Sequence, residues 1–167
     1  MAITPQKISA LIDREVAQLS EQRVVNHIRS LLVQPAVVTR EWDYGKQPIY
    51  YPCWSVLEHP KSNTGIAYCE YGFGPRSPWG LVFLAGSHMS IGMDSGWFTH
   101  FLEAYFESMA SDLPIWRVYK QAEGAYPGTP VTPEGDWDST WKEVYRLREA
   151  DQTGRYNCWH GIVHEKE

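Results

Sequence analysis

The sequence has no C-x-x-C pair, and its three cysteines, Cys53, Cys69 and Cys158, are widely spaced. A structural zinc site or a disulfide framework needs closer and more numerous thiols, so neither organises this chain. The expectation is three reduced, mostly buried cysteines in a cytoplasmic protein. A single disulfide between neighbouring strands, Cys53 with Cys69, is left to geometry. Long apolar runs are also missing, since nothing approaches the roughly 18 consecutive residues that span a bilayer. The first residues, MAITPQKISALIDREVAQ, carry charge where a secretory signal would carry an apolar block. No membrane partner is expected. Positive charge is scarce: 15 Lys and Arg stand against 20 Asp and Glu, a net −5. That balance argues against general nucleic-acid binding. Neither an internal repeat nor a low-complexity tract is present.

What is abundant is apolar and aromatic material. Of 167 residues, 43% are hydrophobic and 14% aromatic, enough for a core and inconsistent with disorder along most of the chain. The length fits a single domain over residues 1–167.

Periodicity sets the expected elements. Thr4 and Pro5 suit the cap and first position of a helix over about 5–19, where Ile8, Leu11, Ile12, Val16 and Leu19 repeat at helical spacing. Val24, Val25, Ile28, Leu31 and Leu32 would fall on the opposite side of an unbroken helix. A break near Ser20, with Ser20 as cap, gives a second helix over about 21–33, ended by Pro35. Strand-like runs follow at 36–44, 49–57, 66–71 and 81–84, separated by Gly45, the 59–65 turn and the 72–78 turn. Short connections suggest an antiparallel meander. Asp94 or Ser95 can cap the strongest helix, about 96–110, with a stripe of Trp97, Phe98, Phe101, Leu102, Tyr105, Phe106 and Met109. Residues 115–119 read as strand, 122–138 as a long Pro/Gly-rich loop, and Ser139 as the cap of a short helix holding Trp141, Val144, Tyr145 and Arg148. A last strand is expected at 156–163. The fold class is α+β: a mainly antiparallel sheet of about four to six strands, two N-terminal helices and a long aromatic helix packed on it.

Four constellations bear on chemistry. Cys158, His160 and His164 share parity on a strand and would project from one face. No acidic ligand stands at a matching spacing, so ordinary strand residues are the expectation and no metal is assigned. Gly92-Met93-Asp94-Ser95-Gly96 differs from the nucleophile elbow G-x-S-x-G because its serine is displaced from the strained turn position. His88 and His100 could approach Asp94 or Ser95, though no spacing demands it. Gly72-Phe73-Gly74-Pro75-Arg76 lacks the pattern of a phosphate loop and reads as a turn or bulge. No cofactor is implied.

Charge is distributed unevenly. Residues 77–138 hold eight acids and only two bases, Arg117 and Lys120, a balance of −6 that leaves the remainder of the chain at +1. Glu103 and Glu107 would lie opposite the aromatic stripe, and Glu123, Glu134, Asp136 and Asp138 fall in the long loop. If these groups share a surface, their field favours a basic partner. The leading expectation is a non-catalytic, acidic protein-binding module of the kind exemplified by immunity or inhibitor proteins that occlude a basic enzyme. Its expected contact residues are Trp79, Asp94, Glu103, Glu107, Asp136, Trp137 and Asp138, with tryptophans as anchors. The competing expectation is a small-molecule-binding or hydrolytic enzyme with a pocket near His88, Asp94, Ser95 and Cys158.

Overall fold

The computed structural model describes residues 3–43, 49–86, 91 and 96–162. The chain packs as two compact units, residues 1–111 and 112–167.

In the first unit, helix α1 spans Pro5–Val16 behind the expected Thr4 cap, whose side chain accepts from the Lys7 N–H at 3.3 Å. Ile8, Ile12 and Val16 form its buried face. Helix α2 spans Gln22–Leu31 and buries Val24 and Ile28. Its cap is Glu21 rather than Ser20. The Glu21 carboxylate accepts from the Arg23 backbone N–H at 3.0 Å and from the Arg23 guanidinium at 2.8–2.9 Å. Those bonds, the guanidinium's first, hold the Glu21 carboxyl down at about 2.

Helix α2 passes without a loop into strand β1, Leu32–Trp42. Pro35, expected to end the helix, therefore lies inside a strand. It is tolerated there because β1 is an edge strand and its register shifts between Leu32 and Ala36, so no ladder hydrogen bond is demanded of a residue without an N–H. Strands β2 (Ile49–His59), β3 (Thr64–Tyr68), β4 (Trp79–Phe83) and β5 (Trp97–Phe98) complete an antiparallel sheet in chain order, the expected meander. The β2–β3 reversal turns on Asn63, which adopts the left-handed conformation (φ 56°) that asparagine tolerates.

The aromatic helix is shorter than its periodicity suggested. Helix α3 covers only Phe101–Glu107, and Trp97 and Phe98 belong to β5. The cause is a complementary pair across the sheet: Gly80 of β4 faces Trp97 of β5, and the indole occupies the space a Gly80 side chain would need. Helix α3 starts at Phe101 because Glu15 of α1 accepts the Leu102 N–H at 3.0 Å, placing a carboxylate at its N-terminus. Phe101, Leu102, Tyr105 and Phe106 are buried, while Met109, the last member of the expected stripe, is 65% exposed beyond the helix end.

The second unit builds a three-stranded sheet in the order β7-β6-β8 from β6 (Arg117–Gln121), β7 (Thr129–Pro130) and β8 (Arg155–Trp159). Strand β7 lies within the expected 122–138 loop. Helix α4 runs over Trp137–Ala150, three residues earlier than a Ser139 cap would allow. Asp136 is the cap instead: its carboxylate accepts the Ser139 N–H at 2.7 Å. Thr140 and Val144 are the buried residues of α4.

Candidate functional site

Helix α4 combines a sequence rhythm with an open flank. Trp137, Trp141 and Tyr145 recur every fourth residue, so all three rings fall on one side of the helix. They touch in series: Trp137 to Trp141 at 5.6 Å between centroids and Trp141 to Tyr145 at 5.8 Å. Trp116 meets Trp137 edge to face at 4.6 Å and anchors the row to the body of the unit. Trp137, Asp138, Trp141, Lys142 and Tyr145 line an open cleft of about 480 Å³. Trp137 is 38% and Tyr145 58% exposed, an unusual amount of aromatic surface on one helix face.

The charges around this row are mixed. Asp136 is engaged as the helix cap, and the Ser139 backbone N–H, with the Ser139 side chain, holds its carboxyl below the ordinary range. Asp138 stands exposed in the first turn of α4, near Lys142 in the cleft lining. Glu143 and Arg146 neutralise one another in an ion pair on the helix surface. The Arg148 guanidinium lies 5.7 Å from the Trp141 ring centroid while donating to the Tyr156 carbonyl at 2.6 and 3.0 Å. The row thus already holds one guanidinium against an indole face.

Of the other expected contact residues, Trp79, Glu103 and Glu107 belong to the first unit. Trp79 is 2% exposed and packs edge to face against Tyr68 at 4.8 Å and Phe101 at 5.4 Å, so its ring belongs to the core and offers no anchor. Glu103 and Glu107 are exposed on α3 as expected, but Glu103 is tied to the His100 N–H at 3.1 Å. These two acids belong to the first unit, whereas Asp136, Trp137 and Asp138 belong to the second. Glu134 pairs with Arg117 at 3.2 Å. The acid-rich stretch of sequence is therefore divided between two units and partly neutralised. Asp94 lies outside the described residues.

His88, Asp94 and Ser95, the core of the competing enzyme expectation, all lie outside the described residues, as does His164. Cys158 is buried, and that burial pushes its thiol up to about 12, far from a poised nucleophile. His160 is buried on the same side of the chain; its Nδ1 accepts the Ile162 N–H at 2.9 Å and its ring stacks on Trp159 at 4.5 Å. The Gly72–Arg76 segment is a turn as expected, with Gly72 (φ 68°) and Gly74 (φ 86°) in the left-handed region. Among the described residues, no group of three or more His, Cys, Asp or Glu side chains is placed to hold a metal ion, and no helix is long and apolar enough to cross a membrane.

Sequence reasoning placed Trp141 and Tyr145 on a short helix and did not mark them as contact residues. The signal was present in the four-residue repeat of 137, 141 and 145, which is out of phase with the equally spaced buried pair 140 and 144. Comparison with family models, curated proteins and solved structures finds no match to this chain.

Proposed function

We propose that the protein is a non-catalytic binding module whose contact surface is the aromatic face of α4, and that its partner is a protein presenting an arginine- or lysine-bearing segment. The observation that carries this reading is the row Trp137–Trp141–Tyr145, three touching rings left open along one cleft. Large rings with few rotatable bonds are favoured where proteins meet, because they bury much area at small entropic cost. Their faces attract cations, and Arg148 on Trp141 exhibits that interaction within the chain itself. Asp138 adds a carboxylate at the cleft edge. Occlusion of a basic enzyme, as by an immunity or inhibitor protein, is the form of binding these features suit. Three free thiols fit a reducing compartment such as the cytoplasm.

The test is affinity capture from the native lysate with mass-spectrometric identification, comparing the wild type with a Trp137→Ala/Tyr145→Ala variant at low and high salt. The expected result is a basic protein retained by the wild type, weakened by salt and lost with the variant. Truncating such anchors costs about 2 kcal/mol or more of binding. An unchanged captured set would overturn the reading.

A further inference from the structure

The first unit contains a pair of thiols that the binding function does not use. In the β2–β3 ladder Trp54 pairs with Tyr68, so one further step of the antiparallel register sets Cys53 opposite Cys69. Directly opposed residues have Cα atoms about 4.5–5.5 Å apart, within the range a disulfide requires. Both side chains are buried in one cluster with Ala67, Val82 and Ile91. The Cys53 thiol donates to the Tyr51 carbonyl at 3.7 Å, and the two thiols act electrostatically on one another. The Cys69 thiol donates to the Pro52 carbonyl at 3.6 Å. Beside them is a buried cation: the Arg40 side chain is 1% exposed, donates to the Phe83 carbonyl at 2.9 Å and acts electrostatically on Cys53.

We propose that Cys53 and Cys69 form a reversible redox pair, closed to a cross-strand disulfide by a hydroperoxide and reopened by a low-molecular-weight thiol. Cys69 is the attacking sulfur. The adjacent Cys53 thiol favours the Cys69 thiolate and lowers its pKa, whereas Cys69 and burial raise that of Cys53. The Cys69 thiolate attacks one peroxide oxygen; the O–O bond breaks, hydroxide leaves and Cys69 becomes a sulfenic acid. The Cys53 sulfur then attacks the Cys69 sulfur. The S–S bond forms, the S–O bond breaks, and the Cys53 proton departs with the leaving oxygen as water. In sum two thiols lose two electrons and two protons, and one hydrogen peroxide becomes two waters.

The approach to the pair is roofed by rings. Trp42, Tyr51 and Trp97 pack against the cluster; Tyr71 stacks on Tyr51 at 5.2 Å, and Phe73 meets Trp42 at 4.9 Å. The left-handed Gly72 and Gly74 let the turn fold back so that Phe73 reaches this position. Oxidation therefore depends on the turn lifting, and Phe73→Ala quickens it.

The experiment treats the full-length native protein with hydrogen peroxide, quenches it, unfolds it in the presence of an alkylating agent and maps the peptides by mass spectrometry. The expected product has lost two hydrogens, links the Cys53 and Cys69 peptides, leaves Cys158 alkylated and returns to the starting mass with dithiothreitol. A Cys158→Ser chain gives the same linkage, and Phe73→Ala forms it several-fold faster. Retention of both thiols in the wild type, a sulfinic acid on Cys69 as the first stable product, or a linkage through Cys158 would each overturn the proposal.

Discussion

In α3, Phe101, Leu102, Tyr105 and Phe106 are buried; in α4, Trp137 and Tyr145 are exposed, with Trp141 half-buried between them. Both helices carry large rings four residues apart. They differ in what lies beneath them. Helix α3 rests on β4 and β5 of a five-stranded sheet, where Trp79 and Phe101 meet edge to face. Helix α4 rests on a three-stranded sheet whose strand β7 has two residues, and one row of small contacts, Thr140 and Val144, already covers it. Neighbouring strands are only about 4.8 Å apart, so a sheet this narrow cannot also cover the aromatic row. Helical spacing decides which residues share a face, and the breadth of the opposing layer decides whether that face is covered.

The largest effect that would break this contrast belongs to α3. Phe101→Ala is expected to destabilise the first unit by about 3–5 kcal/mol, as for any fully buried ring, read from the denaturant midpoint. A negligible shift would mean that α3 is not the core element described. Next, Gly80→Ala forces a methyl group into the Trp97 ring. A loss of about 1–3 kcal/mol is expected from overpacking, with Trp97 fluorescence perturbed. Trp137→Ala should cost only about 0.5–1.5 kcal/mol, the worth of its ring contacts with Trp116 and Trp141. Tyr145→Ala and Glu107→Lys, both exposed, should fall within about 0.5 kcal/mol, while Tyr145→Ala abolishes partner binding. A stability loss at Tyr145 as large as that at Phe101 would erase the distinction between the helices.

The units should also part company in acid. Asp151 accepts hydrogen bonds from the Thr153 hydroxyl (2.7 Å), the Tyr156 hydroxyl (2.8 Å) and the Lys120 ammonium (3.2 Å). The Thr153 bond first, then the others, lowers its pKa well below the ordinary 3.8. Because the folded value is depressed, this contribution is complete above about pH 4 and declines as pH falls toward the folded value. Asp151→Asn should flatten the acid limb of the second unit's stability and leave that of the first unit unchanged, measured by circular dichroism across pH 1–5.

Much of the first unit was legible before its structure. Thr4-Pro5 marked the start of α1, and turns rich in Gly, Pro and Asn separated the strands of the meander because those residues suit the required backbone conformations. Errors fell where a tertiary partner outweighed local signal. Pro35 looked like a helix stop but was absorbed by an edge-strand bulge, and Trp97-Phe98 looked helical until Gly80 supplied a cross-strand seat. The charge asymmetry over 77–138 was visible in composition, yet those acids fall in two units and some are engaged in an ion pair or a helix cap.

By itself the amino-acid order determined the α+β class, the antiparallel chain order of the strands and the residues sharing each helix face, since all three follow from local backbone preference and periodicity. Tertiary structure alone decided that Trp79 is core while Trp137 and Tyr145 are surface. It also decided that Cys53 and Cys69 meet and that the acids divide between two units. Burial and proximity are set by which distant segments come to lie on a residue, and spacing along the chain carries no record of that.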